Sequence, residues 1–417
     1  METNLRDDIL VHLNNPAEVE KLYRKDKLAF KQAFDGLYPS ITNSTLAAFW
    51  HERLNFTNER KANGTQVNIM FIAVMCLVAA IIVKLPALFS INEGYFYTRN
   101  VGFVIFPALS AYFVWKNKLA LKEIILISSA VLFSVFFINF LPNEESDTLV
   151  LSCIHLVLFL WCILGFSFSG GIKHQPESRL NYLRYNGDLI VVTTLILIAG
   201  GILTGITIGL FSLIELDIEE FYFNNIAIIG LVSAPILGTY LTQSNPQLVN
   251  KVSPVIAKIF SPLVLVMLVT YLIAIIASGK DLYNDREFLL LFNLLLIGVM
   301  AIIFFSIAEG ARSNVTRIGL WILLLLSLMT VLVNGLALSA ILFRITEWGV
   351  TPNRSAVLGS NVLMLVNLIL VIVQFYRVLF KKAEVDHIGK VISAYLPVYL
   401  IWIIIVCFIF PFVFNFR

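Results

Sequence analysis

Apolar runs of about 17–25 residues recur along the chain from residue 67 to residue 414. As a helix, a run of about 20 residues can cross a hydrocarbon core about 30 Å thick. Hydropathy places the runs at 67–83, 101–115, 124–141, 149–168, 189–211, 226–240, 255–278, 288–308, 318–343, 357–380 and 391–414. The sequence therefore predicts an all-α, polytopic transmembrane helical bundle of about eleven spans.

Two of the predicted spans, 101–115 and 226–240, are shorter than the rest and contain Pro107 and Pro235 respectively. Proline removes a backbone donor and kinks or ends a helix. For these two segments, a merged, tilted or broken crossing is an open alternative to a simple span.

The composition agrees with a membrane protein. Hydrophobic residues make up 59% of the chain and charged residues 14%, whereas a soluble domain carries about 25% charged residues. So few charges cannot cover a water-facing surface, so the lipid bilayer is the expected partner. The net charge of +3 is too small to indicate a nucleic-acid partner.

Residues 1–65 are the only long polar stretch and predict a cytoplasmic, amphipathic helical N-domain, with residues 66–417 as the transmembrane domain. We expect one helix from Pro16 to about Gly36 and a second over 44–55. Two helices bury too little surface to fold alone. The segment is therefore either a module that docks a cytoplasmic partner or a cap on the bundle.

Lysine and arginine concentrate in alternate connections between the predicted spans, at 116–122, 173–184, 312–317 and 377–390. The positive-inside rule puts these connections in the cytoplasm. We therefore expect a cytoplasmic N-terminus and a periplasmic or extracellular C-terminus. The turn between the ninth and tenth spans then faces outward.

That turn reads Arg-Ile-Thr-Glu-Trp-Gly-Val-Thr-Pro-Asn-Arg over residues 344–354. Arg344 and Arg354 could hold the carboxylate or phosphate of a small anionic solute, because a guanidinium binds such groups through two parallel hydrogen bonds. Glu347 would orient one arginine, Gly349 would allow a sharp turn, and either Thr351 or Asn353 would cap the next helix. The alternative is a structural clamp that locks the hairpin.

Polar side chains continue along both helices that flank this turn. They are Ser327, Thr330 and Asn334 on the ninth span, and Ser360, Asn361, Asn367 and Gln374 on the tenth. In a membrane, such stripes turn toward other helices or toward water. Hydrogen bonding between helices and a permeation path both fit the pattern.

Other polar residues at membrane depth are weaker candidates: a lone His155 in the fourth span, and Glu309, for which Arg312 is the expected partner. The four cysteines lie in apolar runs, where cysteine packs as a small hydrophobe. We predict no disulfide, metal site or cofactor. No catalytic motif is present, so an enzyme is not expected.

The pattern Arg344-x-x-x-Trp348-Gly349-Val350-Thr351-x-x-Arg354, followed by an apolar helix, resembles a signature of a bacterial multi-pass inner-membrane family, domain of unknown function 4153. Tyrosine is more usual in that family where Trp348 stands here. The resemblance would extend from about residue 65 onward and implies a bacterial inner-membrane protein. It implies no activity.

Two main functional hypotheses follow from these observations, and a membrane-embedded enzyme is a third, less favoured one. The first is permease-like binding or translocation of a small anionic solute at the outer-face cluster of arginines and glutamate. The alternative is a non-transporting membrane sensor or assembly scaffold that docks a cytoplasmic protein through the N-domain.

Overall fold

The structure is a computed structural model that describes residues 2–55, 59–143, 146–171, 176–212, 216–244, 258–270, 272–273, 286–310, 316–381 and 383–417. These residues form helices and short turns, and no strand occurs among them, which confirms the all-α class. Contacts within the chain divide it into two units, Met1–Phe71 and Ile72–Arg417.

The N-terminal unit holds α1 Glu2–His12, α2 Pro16–Lys25, α3 Lys27–Leu37, a 3-10 turn Tyr38–Ser40 and α4 Thr45–Asn55. Its helices enclose a core of buried residues: Ile9, Leu13, Val19, Phe30, Ala33, Phe34, Leu37, Ala47 and Trp50. The unit thus has an apolar core of its own. The sequence predicted only two helices here, and it missed α1 because α1 lacks a pronounced apolar stripe.

Asp26 divides the segment that the sequence predicted as one continuous helix. Its backbone is extended, with φ −153° and ψ 102°, and its N–H bonds to the carbonyl of Leu22 at the end of α2. Its carboxylate accepts the N–H of Ala29 at 3.0 Å, which is the bond of a helix N-cap. One residue therefore ends α2 and begins α3.

The second unit is built from long helices together with two single-turn ones, α10 and α17, and its first helix begins before the unit boundary. They are α5 Glu59–Phe89, α6 Glu93–Lys116, α7 Leu121–Phe140, α8 Asp147–Ser169, α9 Pro176–Ser212, α10 Glu219–Tyr222, α11 Ile228–Ser244, α12 Lys258–Thr270, α13 Arg286–Gly310, α14 Arg317–Trp348, α15 Pro352–Lys381, α16 Asp386–Ile404 and α17 Phe410–Val413. Single π-turns, Phe223–Ala227 and Ile405–Ile409, join α10 to α11 and α16 to α17.

In the described part of the chain, nine helical segments are long and apolar enough to cross a membrane. The chain is therefore an integral, multi-pass membrane protein. Helix α6 is not among the nine because it carries Arg99 and Asn100 among its apolar residues. Helix α12 covers part of the predicted span 255–278, most of whose remaining residues lie outside the described ones. With these two added, helices occupy all eleven predicted positions.

The two segments predicted as short are longer than expected. Helix α6 has 24 residues in all and continues through Pro107. The segment Glu219–Ser244 has 26 residues in all and continues through Pro235. Helix α9 also begins earlier than predicted, at Pro176, and has 37 residues. At about 1.5 Å per residue it is roughly 55 Å long, so its first turns lie outside the apolar core of a bilayer.

The described connections between spans lie on two sides of the bundle. We call one side the hairpin face; it carries the α14–α15 turn at 349–351, the start of α8 and the C-terminus. There the N–H of Thr148 donates to the carbonyl of Arg417 at 3.0 Å. The opposite face carries the end of α8, the start of α9 and the turn between α15 and α16.

Candidate functional site

Arg354 closes the turn between α14 and α15. Its Nη1 donates to the carbonyl oxygens of Trp348 at 2.8 Å and Gly349 at 2.7 Å. Carbonyls at the end of a helix lack partners within the helix, and a positive charge suits the negative end of the helix dipole. This geometry matches the structural clamp that the sequence left as an alternative.

Trp348 lies close to both arginines of the turn. The guanidinium carbons of Arg344 and Arg354 are each 5.6 Å from its ring centroid, within the range of a cation–π contact. Arg344 is buried, with 8% of its surface exposed. Gly349 has φ 77° and ψ 179°, a region open essentially to glycine alone, which confirms the expected sharp turn.

The remaining predicted residues of the turn lie beside these. Glu347 is exposed. The Oγ1 of Thr351 accepts the N–H of Arg354 at 3.3 Å and so caps α15. All five predicted site residues therefore lie at one turn, and anion binding by them stays a prediction.

The polar stripe of α14 is buried. Ser327 and Thr330 donate to the carbonyls of Leu323 and Leu326 in their own helix, at 2.8 and 2.6 Å. Asn334 is also buried. The two hydroxyls are therefore satisfied one turn back along the helix, and only Asn334 reaches a neighbouring helix.

Asparagines connect α14, α15 and α16. The Nδ2 of Asn334 donates to the carbonyl of Asn361 at 3.2 Å, and the Nδ2 of Asn367 donates to the hydroxyl of Tyr399 at 3.1 Å. Within the described residues, the side-chain amide of Asn361 has no hydrogen-bond partner, although it is fully buried. Gln374 is half-buried. Part of the stripe thus serves hydrogen bonding between helices.

A cavity of about 520 Å³ lies among α8, α9, α13, α15 and α16, and small-molecule sites are typically about 300–1,000 Å³. We call it the central cavity. It is lined by His155, Leu158, Trp161, Cys162, Gly165, Phe166, Ser169, Arg179, Tyr182, Leu183, Ile297, Met300, Ala301, Phe304, Ser360, Met364, Leu396, Pro397, Tyr399, Leu400, Trp402 and Ile403. Most of these side chains are apolar.

Three polar side chains lie toward the hairpin-face end of the central cavity. His155 and Ser360 each lie about 12 Å along their helices from the hairpin face. The Nε1 of Trp402 donates to the Oγ of Ser360 at 3.1 Å. The Nδ1 of His155 lies 2.8 Å from the carbonyl oxygen of Leu151. Because a carbonyl only accepts hydrogen bonds, Nδ1 is the donor in this contact.

The other end of the central cavity lies near the opposite face. Arg179 lines it from the first turns of α9, where backbone N–H groups add positive potential. The Nη1 of Arg179 donates to the carbonyl of Ser393 at 3.2 Å. Tyr182 donates its hydroxyl to the carbonyl of Trp161 at 2.6 Å. The described lining residues include no aspartate or glutamate, so this end is cationic.

Two features set the boundaries of the central cavity. Leu158 of α8 and Ile297 of α13 line it and are 40% and 57% exposed, so the cavity is open to the surface of the bundle beside these two helices. Gly359 lies behind the indole of Trp402, and a Cβ at position 359 would overlap that ring. Because Gly359 has no side chain, the indole of Trp402 fits at this position.

Two further buried charges have structural partners. The Nε of Arg184 lies 3.3 Å from the Oε1 of Glu309; the predicted partner, Arg312, lies outside the described residues. Arg99 donates to the carbonyl of Leu141 at 3.2 Å and so caps the end of α7. Among the described residues, no group of three His, Cys, Asp or Glu side chains could hold a metal ion.

None of the nine predicted site residues lines the central cavity, although Ser360 of the predicted stripe and His155 do. Arg179 was missed because its charge assigned it to a connection between spans. Proline at position 176 was the available signal, since proline favours the first turn of a helix. No protein-family model, curated protein or solved structure matches this chain.

Proposed function

We propose that this integral membrane protein binds a small molecule inside its helical bundle, in the manner of a permease. The observation that carries the proposal is the central cavity, an apolar space of about 520 Å³ with a few polar groups at its ends. Such a combination is typical of sites that bind small molecules. The polar stripe of α15 borders this space through Ser360, and Asn367 supports Tyr399 in its wall.

Native mass spectrometry of the purified protein tests this function. We expect the wild type to retain a small molecule that the cavity-filling variant Ala301→Trp loses, since Ala301 lines the central cavity. Leu203→Trp is the matched control, because it adds an indole at a position that is exposed in α9. Equal retention by the wild type and Ala301→Trp would refute the proposal.

The α14–α15 turn is a second possible position for the same class of function. There a small anionic solute would bind at Arg344, Glu347, Gly349, Thr351 and Arg354. The exposure of Glu347 and Trp348 supports it, because a solute can reach the turn from water. The engagement of Arg354 with two carbonyls argues for the clamp instead.

A sensor or assembly scaffold is the alternative class, and the core of the N-terminal unit favours it. A unit that buries its own apolar residues can present a defined surface to a cytoplasmic protein. Deletion of residues 1–60 would then remove a specific co-purifying partner while leaving the transmembrane unit folded. Retention of that partner by the truncated chain would exclude docking through this unit.

The proposed location is a bacterial inner membrane, with the N-terminus in the cytoplasm. Its support is the distribution of lysine and arginine and the resemblance to domain of unknown function 4153. Val350 on the hairpin face and Glu384 on the opposite face are both exposed. We expect a membrane-impermeant maleimide on intact cells to label Val350→Cys and to spare Glu384→Cys. The reverse pattern would invert the topology.

A further inference from the structure

We propose that the central cavity takes a single-chain amphipathic anion, with an apolar chain along the cavity and one carboxylate or phosphate head group at Arg179. This inference rests on the proposed binding function and adds the chemical class of the ligand. Three features of the cavity support it: its long apolar wall, its single cationic end and its opening toward lipid.

The wall of the central cavity suits an extended apolar chain. Helix α8 lines it from His155 to Ser169, a distance of about 21 Å along the helix axis. The facing side is formed by residues such as Met300 and Leu400. A solute with many polar groups would leave them without hydrogen-bond partners along this wall, which is costly away from water. An apolar chain meets no such penalty.

The cationic end suits one anionic group. Arg179 is half-buried, and among the described residues no carboxylate forms an ion pair with it. Its bond to Ser393 uses one of five guanidinium N–H donors. Glu177, two residues earlier, is exposed to solvent, and Ser169 adds a hydroxyl to this end. A cation in an apolar wall is stabilised by a bound anion.

The opening suits a ligand that comes from the bilayer. The exposed lining residues Leu158 and Ile297 belong to α8 and α13, and both helices also pack on α9 and α16. The opening therefore lies beside two membrane-spanning helices. An apolar chain can pass through it without crossing water, while its head group stays near the polar edge where α9 begins.

Bromine quenching of tryptophan fluorescence tests the ligand class. Trp161 and Trp402 line the central cavity. The double variant Trp161→Phe/Trp402→Phe lacks both, so the difference in quenching between it and the wild type reports binding in the cavity. The probes are brominated palmitate and its uncharged methyl ester, added to full-length protein in detergent. We expect saturable quenching by both probes, with about tenfold tighter binding of the carboxylate, typical of one charge-assisted hydrogen bond.

The variants assign that difference to Arg179. Arg179→Gln is expected to weaken binding of brominated palmitate about tenfold and to leave the ester unchanged. Arg179→Lys keeps the charge and should retain most of the preference. Arg377→Gln removes a guanidinium from an exposed position near the same face and should change nothing.

Each contrary outcome has a separate meaning. Equal binding of acid and ester, or no effect of Arg179→Gln, would overturn the anionic head group while leaving the binding function intact. Displacement of the brominated acid by inorganic phosphate at a similar concentration would overturn the role of the chain. The absence of saturable quenching by both probes, with no molecule retained in native mass spectra, would refute the binding function itself.

Discussion

The Nη1 of Arg354 donates to the carbonyl oxygen of Trp348 at 2.8 Å, across the turn that joins α14 to α15. Arg99 binds the carbonyl of Leu141 in the same way, just beyond the end of α7. Two helix ends on the hairpin face are thus closed by an arginine of a neighbouring helix. This repeated use of a guanidinium as a helix cap favours a structural role for Arg354.

Arg354→Ala is expected to destabilise the protein by about 1–3 kcal/mol, the usual range for hydrogen bonds to a charged group. Arg99→Ala should cost at least as much, because Arg99 is buried. Unfolding by heat or by denaturant in detergent measures both effects. Arg377→Ala, at an exposed position, serves as the control and should leave the midpoint unchanged.

The same variant separates the clamp from an anion site at the turn. If Arg354→Ala unfolds like the wild type but loses binding of a small anion, the arginine serves the ligand and the clamp interpretation is wrong. Parallel measurement of stability and of binding therefore decides the role of this residue.

Gly349→Ala tests the backbone of the same turn. At φ 77° and ψ 179° a side chain is strained, with a cost of about 1–3 kcal/mol. Gly335 is the matched control: it lies inside α14, with open space around a Cβ built there, and alanine is a better helix former than glycine. We expect Gly349→Ala to lower the unfolding midpoint and Gly335→Ala to preserve or raise it.

The helix positions and the Gly349 turn could be predicted because both depend on local chemistry. An apolar run of sufficient length is enough to place a span, and a glycine between two helices is enough to place a sharp turn. The central cavity could not be predicted, since Trp161 and Tyr399 come to line one space only after α8 and α16 have packed. The start of α9 was missed because charge is a weak guide to where a helix begins.

Asn361→Leu is expected to stabilise the transmembrane unit. Its buried amide has no partner among the described residues, and an unsatisfied buried group costs about 1–3 kcal/mol. The bond from Asn334 goes to the backbone of Asn361 and survives the change. Asn367→Leu is the contrasting variant, because it breaks the bond to Tyr399 and should destabilise. A loss of stability in Asn361→Leu would indicate that the amide has a partner in the membrane.

Gly359→Ala is expected to push the indole of Trp402 into the central cavity, since the new methyl group would overlap the ring. The bond from Trp402 to Ser360 would be broken, and the cavity would shrink. We expect weaker binding of brominated palmitate, measured by displacement of a radiolabelled acid. The double variant Gly359→Ala/Trp402→Leu should regain the lost cavity volume and with it the binding of brominated palmitate. Failure of that second change to restore binding would contradict a purely steric effect.

Acid is expected to weaken the N-terminal unit through Glu20. The hydrogen bond from Arg24, at 2.8 Å, and the charge of Arg53 lower the pKa of this carboxyl. Because the folded pKa lies below the unfolded one, the stabilisation is complete above the unfolded value of about 4.5 and is lost as pH falls through the folded value.

Hydrogen exchange of peptides from α2 and α4 measures this effect. Glu20→Gln should exchange faster than the wild type at neutral pH, and the difference should vanish near pH 3. Glu52→Gln, at an exposed acidic position of the same unit, is the matched control for the general loss of an acidic charge. A difference between wild type and Glu20→Gln that persists at low pH would exclude the ion pair as its cause.

The contact between Gly359 and Trp402 affects how the size of the central cavity can evolve. Trp402 forms part of the wall of the central cavity, and its ring keeps this position because Gly359, which lies behind it, has no side chain. A single amino-acid change at position 359 would make the central cavity smaller without altering its other lining residues. If the cavity binds an apolar chain as we propose, descendants with a larger residue at position 359 would bind shorter chains while keeping the same architecture.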